Sequence, residues 1–115
     1  MEKITVVVPC YNEEESLPIF YEEMERVRKQ DFNNLENEQK IEFEYIFVDD
    51  GSKDGTLNEM KQLSQKDSKV RYISFSRNFG KEAAILAGLD ASTGDLVTLM
   101  DVDLQDPPSL LRKMY

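Results

Sequence analysis

Leu96-Val97-Thr98-Leu99-Met100 runs directly into Asp101-Val102-Asp103-Leu104-Gln105-Asp106-Pro107-Pro108, an apolar stretch that turns acidic within one residue. Gly94 and Asp95 bound the apolar part on its other side. A short, nearly continuous apolar run between turn residues reads as a strand buried on both faces, and the acids then sit where that strand meets solvent. In the strand period Asp101 and Asp103 project to the same side, and Gln105 repeats the spacing with a neutral oxygen. Two same-side carboxylates repel each other. Either this is a solvated acidic loop before a helix, or a hard divalent cation lies between the acids and leaves positions open for phosphate oxygens.

Three further apolar runs, rich in β-branched and aromatic residues, lie upstream: "ITVVV" (4–8), "FEYIFV" (43–48) and "VRYISF" (70–75). Helical patterns fill the gaps. Leu17, Phe20, Tyr21, Met24 and Val27 share one stripe, with Pro18 tolerated in the first turn. Leu57, Met60 and Leu63 form a second stripe, and "KEAAILAGLDAS" predicts an Ala-rich third helix. Gly88 inside that helix is explained most simply by a close helix–sheet contact. The polar stretch "DFNNLENEQK" (31–40) has no period and reads as a surface excursion. The pattern is β-α-β-α-β-α-β: one α/β domain over residues 1–115, a Rossmann-like parallel sheet with helices on both faces and right-handed crossovers.

In such a sheet, ligands gather outside the carboxyl ends of the strands. Each strand is followed there by a polar cluster: "PCYNEE", "DDGSKDGT", "SRNFGK" and "DVDLQDPP". In the first, Pro9 is expected to turn the chain, Tyr11 offers an aromatic surface for a base and Glu13 an acceptor. The bland reading is an acidic helix N-terminus. In the second, Ser52, Asp54, Gly55 and Thr56 suit a turn and a helix start. Asp49-Asp50 at a strand end is not explained that way, and a carboxylate there can accept the imide N–H of uracil or guanine. The third cluster supplies Arg77 and Lys81, cations where an acidic site needs them, unless they are merely solvated.

Composition narrows the field. With 23 acids against 14 bases and a formal charge of −9, nonspecific nucleic-acid binding is not expected. Cys10 is the single cysteine, so no internal disulfide forms and a reducing compartment fits. There is no His, so a metal here takes oxygen ligands, favouring Mg²⁺, Mn²⁺ or Ca²⁺ over Zn²⁺. Neither a P-loop nor a G-x-G-x-x-G fingerprint occurs. An EF-hand loop starting at Asp101 fails at its sixth and twelfth positions, which are Asp106 and Arg112. An aspartyl-phosphate phosphatase also carries Asp-x-Asp after a strand, usually near its start and with Thr or similar where Gln105 stands. No apolar stretch reaches the roughly 18 residues of a membrane span, and the start lacks signal-peptide organisation. These 115 residues are therefore expected to be soluble and cytosolic in exposure.

Taken in order, "VVVPCYNEEESLP", "VDDGSKDGT", "SRNFGKEAAILAGLDASTGD" and "MDVDLQDPP" closely resemble the inverting family 2 glycosyltransferases, in particular the dolichol-phosphate mannosyltransferase and bactoprenol-phosphate glucosyltransferase branch. That branch most often carries Asp-Ala-Asp where this chain has Val102 between two acids. The resemblance implies the nucleotide-binding half of a GT-A fold. It implies that Pro9, Tyr11, Glu13 and Asp50, with Asp49 nearby, hold the base and ribose. Lys81, Asp101, Val102 and Asp103 would meet the diphosphate, with Asp101 and Asp103 the catalytic pair. Asp101, Asp103 and Gln105 would hold Mg²⁺ or Mn²⁺. The implied reaction moves a hexose from a UDP- or GDP-sugar to a polyprenyl phosphate on the cytosolic face of a membrane. The acceptor side and any membrane helices would then lie beyond Tyr115, so this stretch alone is expected to bind nucleotide-sugar without turnover.

Overall fold

The computed structural model describes residues 2–27 and 41–102. The polar stretch 31–40 and everything from Asp103 onward, including Gln105, lie outside the described residues. Four strands, β1 (Glu2–Cys10), β2 (Ile41–Asp49), β3 (Val70–Ser74) and β4 (Leu96–Leu99), alternate with three helices among them. These are α1 (Ser16–Val27), α2 (Thr56–Lys66) and α3 (Lys81–Ala91). All strand pairs are parallel, in the order β3-β2-β1-β4.

The chain steps from β1 to β2 to β3 in one direction, then returns to the far side of β1. For the crossovers to keep one hand, the helix must change face when the direction reverses. It does. Leu17, Phe20, Tyr21 and Met24 of α1 and Met60 and Leu63 of α2 pack on the face carrying Ile4, Val6, Val8, Phe43, Tyr45 and Phe47. On the opposite face Ala84 of α3 meets Ile46 and Val48. Helices on both faces, expected from the apolar runs, are observed.

The first face is the thicker one. Phe20 and Tyr21 meet Phe47 and Tyr45 edge-on, with ring centroids 6.4 and 5.8 Å apart, and edge-to-face contacts of this kind add to area burial. The buried hydroxyls are satisfied: Tyr45 donates to Glu25 Oε2 at 2.8 Å and Tyr21 to Asp67 Oδ2 at 2.5 Å. Burial alone would raise the Asp67 carboxyl, but the hydrogen bonds from Tyr21 and Lys69 and the Lys69 charge hold it below the ordinary range. On the second face α3 lies almost on the sheet, because a Cβ at Gly88 would stand 2.4 Å from Val7 Cγ1. Gly88 therefore has the close-contact role its sequence position suggested.

Two local readings are corrected. Pro9 does not turn the chain; it lies inside β1, paired with Val48. Met100 donates to the Val7 carbonyl at 3.0 Å and Asp50 to the Cys10 carbonyl at 2.9 Å. Odd-numbered positions at this end of β1 thus face β4, and β4 pairing ends opposite Val7. The missing Pro9 N–H breaks no rung. In α2 the inward stripe is Thr56, Met60 and Leu63, with Leu57 only half-buried. Thr56 turns inward because its hydroxyl is engaged at the strand ends.

Far from those ends, buried Glu44 gathers Lys3 Nζ at 3.2 Å, Arg71 Nη1 at 3.3 Å, the Thr5 hydroxyl at 3.0 Å and Thr93. This cluster ties β1, β2, β3 and the α3–β4 turn together. Burial works to raise the Glu44 carboxyl, but the hydrogen bonds from Lys3 and Thr5, the Lys3 charge and the Thr93 N–H outweigh it and hold the group low. A carboxyl lowered by folding contributes stability above its unfolded value and loses it as pH falls through its folded one. Urea unfolding of wild type and Glu44→Gln should therefore differ most at neutral pH, and the gap should close in strong acid. Gly88→Ala should cost about 1–3 kcal/mol in the same measurement, because fully buried Val7 would have to shift.

Candidate functional site

The loops after β1 and β2 are sewn together. Asn12 sits at φ 54°, a left-handed conformation that Asn accepts more readily than most residues. Its N–H donates to Ser52 Oγ at 2.9 Å, and its Oδ1 accepts from the Lys53 N–H at 2.8 Å. Glu13 N–H donates to Thr56 Oγ1 at 2.8 Å and Glu14 N–H to Asp54 Oδ2 at 3.2 Å. Glu14 Oε1 accepts in turn from the Gly55 N–H at 2.9 Å. Burial would raise the Asp54 carboxyl, but the Thr56 hydroxyl and the N–H groups of Thr56 and Glu14 hold it below the ordinary range. Ser52, Asp54 and Thr56 shape their own turn, as their sequence suggested, and they also satisfy the backbone of the neighbouring loop.

The two acids ending β2 part ways. Asp49 Oδ1 accepts the Ser52 N–H at 2.9 Å and closes the local turn. Asp50, only 4% exposed, faces the loop before α3. Its Oδ1 accepts from the Phe79 N–H at 2.8 Å and the Gly80 N–H at 3.2 Å. Its Oδ2 accepts from Gly80 N–H and Asn78 Nδ2, each at 3.2 Å, and its carbonyl from the same Asn78 amide at 3.2 Å. Gly51, at φ 72°, lets this loop cross directly above it: a Cβ there would lie 2.2 Å from the Arg77 carbonyl carbon.

Pinned this way, α3 begins with Lys81 pointing across the sheet ends, where its Nζ lies 3.1 Å from Asp101 Oδ2. Pro9, Cys10, Tyr11, Glu13, Asp50, Lys81 and Asp101 line a cleft of about 210 Å³. It lies where β4 leaves β1, the point at which strand order reverses and where open α/β sheets collect ligands. A second, more apolar hollow of about 300 Å³ adjoins it, sharing Pro9, Lys81 and Asp101 and adding Ile85, Leu99 and Met100.

Pro9, Tyr11, Glu13, Asp50, Lys81 and Asp101 are therefore gathered into one cleft. Buried Asp49 and Val102 are not among its lining residues. Arg77 is also not among them; its guanidinium carbon stands 4.9 Å from the Phe79 ring centroid. Asp103 and Gln105 lie outside the described residues. Among the described residues no cluster of three or more metal-ligating side chains occurs. Asp101 is a hard oxygen donor at the cleft edge with an ammonium already beside it, so cationic charge is accommodated there. That is the donor chemistry a Mg²⁺ or Mn²⁺ ion requires. Sequence reasoning missed Asn12, Asn78 and Gly80 as organisers of the cleft. Asn and Gly so soon after a strand mark a loop, but the partners of these residues lie far away along the chain.

The sequence matches the family described as "Glycosyl transferase family 2" over residues 5–115. It is 46% identical over 112 residues to a bactoprenol glucosyl transferase of Shigella phage SfX, covering 97% of this chain and 34% of that protein. The fold resembles a mannosyltransferase of Pyrobaculum calidifontis, PcManGT, in complex with GDP-Man and Mn²⁺, at a TM-score of 0.65 and 25% identity. That match covers 91% of this chain and 30% of the other. It also resembles S. aureus TarS 1-349 in complex with UDP-GlcNAc, at a TM-score of 0.62 and 26% identity, covering 96% of this chain and 30% of TarS 1-349. The chain thus spans about a third of the length of the curated relative.

Gly51 combines a positive φ with a backbone neighbour that cannot rotate away. Gly51→Ala should therefore lower stability by more than ~1 kcal/mol in denaturant titration.

Proposed function

The chain belongs to glycosyl transferase family 2, and on that premise we propose that its full-length protein transfers a hexose, with inversion, from a UDP- or GDP-sugar to a polyprenyl phosphate. The observation that carries this reading is the gathering of Tyr11, Glu13, Asp50, Lys81 and Asp101 at the strand-order switch of a family 2 chain. The acceptor class is supported by the relative named a bactoprenol glucosyl transferase. Nucleotide-sugar donors are supported by two structural neighbours, one holding GDP-Man and the other UDP-GlcNAc. No observation favours the Asp-nucleophile phosphatase.

In this reading the exposed Tyr11 ring and Glu13, with Pro9, Asp49 and Asp50 behind them, form the base and ribose end of the cleft. Lys81, Asp101, Val102 and Asp103 form the diphosphate end. Asp101, Asp103 and Gln105 are the oxygen donors for Mg²⁺ or Mn²⁺, a choice supported by the Mn²⁺ of PcManGT. When bound, the cation would supply positive charge that stabilises the leaving diphosphate. Lys81 adds a second positive group on the same side. A phosphate acceptor is already ionised at neutral pH, so little base catalysis is needed, consistent with a chain that has no His. Residues outside this chain would hold the acceptor and place the enzyme at the cytosolic face of a membrane. Among the described residues no helix is long and apolar enough to cross one.

The test is titration of the full-length protein with UDP and GDP, with and without Mn²⁺, followed by a transfer assay with a polyprenyl phosphate. Mn²⁺-dependent binding of one nucleotide and sugar transfer are expected. Nucleotide binding without transfer would leave a binding module, and no nucleoside dependence would refute the donor. Asp103→Ala should abolish the Mn²⁺-dependent part of the affinity while thermal unfolding stays as in wild type. Undiminished Mn²⁺ dependence in that variant would remove Asp103 from the metal site.

A further inference from the structure

We infer that Lys81 couples the divalent cation to the diphosphate: in the empty cleft its ammonium stands in the cation's place beside Asp101, and it leaves that place when a diphosphate is there to receive it. This rests on the donor and metal reading above and gives Lys81 a role beyond contact with the diphosphate.

The cleft's lining carries three carboxylates, Glu13, Asp50 and Asp101, and one base, Lys81. Lys81 Nζ stands 3.1 Å from Asp101 Oδ2, on the carboxylate assigned above to the metal. An ammonium has donors only, so it shares a carboxylate with a divalent cation against their mutual repulsion. A cation arriving alone must displace it. A diphosphate changes that balance, because its oxygens accept both positive charges and the ammonium can turn to them. The structure lets the charge turn while its base stays in place. The Lys81 side chain is 64% exposed. The backbone before it is held, since Asp50 accepts from the Asn78 amide and the Phe79 and Gly80 N–H groups. The Gly80 carbonyl accepts in turn from the Ala84 N–H at 3.2 Å. Arg77, the other base of this loop, is not among the lining residues and has its guanidinium over the Phe79 ring. An ion pair as exposed as Lys81–Asp101 is weak, so it discourages a lone cation without excluding one. Coupling of this kind is reciprocal: the nucleotide favours the cation by the factor by which the cation favours the nucleotide.

The experiment titrates Mn²⁺ into the full-length protein, with free Mn²⁺ followed by electron paramagnetic resonance. It is done without nucleotide and then with saturating UDP or GDP, whichever wild type binds. Lys81→Met should bind Mn²⁺ alone about two- to fivefold more tightly than wild type, the range over which exposed pairs compete. The ratio of Mn²⁺ affinity with nucleotide to that without should fall by at least as much. Arg77→Met removes the same charge outside the cleft lining and should leave both the affinity for Mn²⁺ alone and the ratio as in wild type. Lys81→Gln repeats the measurement if Lys81→Met does not fold. No gain for Mn²⁺ alone in the Lys81 variant, or an unchanged ratio, would overturn the inference while the donor and metal reading stands. An equal gain in Arg77→Met would overturn it too, by making the effect one of overall charge. Wild type that binds nucleotide and Mn²⁺ independently would overturn the inference and the metal assignment but keep the donor. Wild type that binds neither UDP nor GDP would overturn the donor reading with it.

Discussion

The constraint on which the rest depends is the unequal pairing of β1. On one edge it runs beside β2 from Glu2↔Ile41 to Cys10↔Asp49; on the other it pairs with β4 only from Ile4↔Leu96 to Val7↔Leu99. The β2 edge therefore stays zipped to the strand tips while the β4 edge opens early. Pro9 is the next β4-facing position past the last β4 pair at Val7 and has no N–H to extend the ladder. The crevice follows from that mismatch, and the reversal of chain direction at β1 puts the β1 and β4 loops on its two walls. A ligand site here needs no special loop fold, because it is left where one ladder stops before the other.

What surrounds the crevice is rigid for a different reason. Each polar loop satisfies backbone groups of the next, from Asn12, Glu13 and Glu14 to Ser52, Asp54 and Thr56, and from Asp50 to the 78–80 loop. Three of the participating acids, Asp49, Asp50 and Asp54, are largely occupied as hydrogen-bond acceptors. The cleft itself keeps Glu13, Asp50 and Asp101 against the single base Lys81 among its lining residues. Much of the carboxylate at the strand tips is used to organise backbone N–H groups.

The fold was largely legible because its signals are local. The continuous apolar run "ITVVV" reads as a strand covered on both sides and is one. "LVTLM" reads the same way, yet Leu96 and Leu99 of β4 are exposed. The stripe of Leu17, Phe20, Tyr21 and Met24 has one period. The convergence of the polar clusters followed from parallel topology alone, and the described residues show it. Illegible were the features set by partners distant in sequence. Pro9 looked like a turn because its harmlessness depends on where β4 stops. Glu44 looked like a polar interruption of β2, yet it is a buried hub for Lys3, Thr5, Arg71 and Thr93. Asp50 looked unpartnered because the donors it accepts from, in residues 78–80, lie far downstream.

The contact between Lys81 and Asp101 has a further consequence. Both side chains are well exposed, at 64% and 45%, and water-facing ion pairs of that kind hold weakly and are screened by dissolved salt. It is a light latch across the mouth of the crevice, attached on one side to a heavily anchored helix start. Any polyanion brought into the crevice would need little force to draw the ammonium off Asp101, and the helix beneath would not have to move.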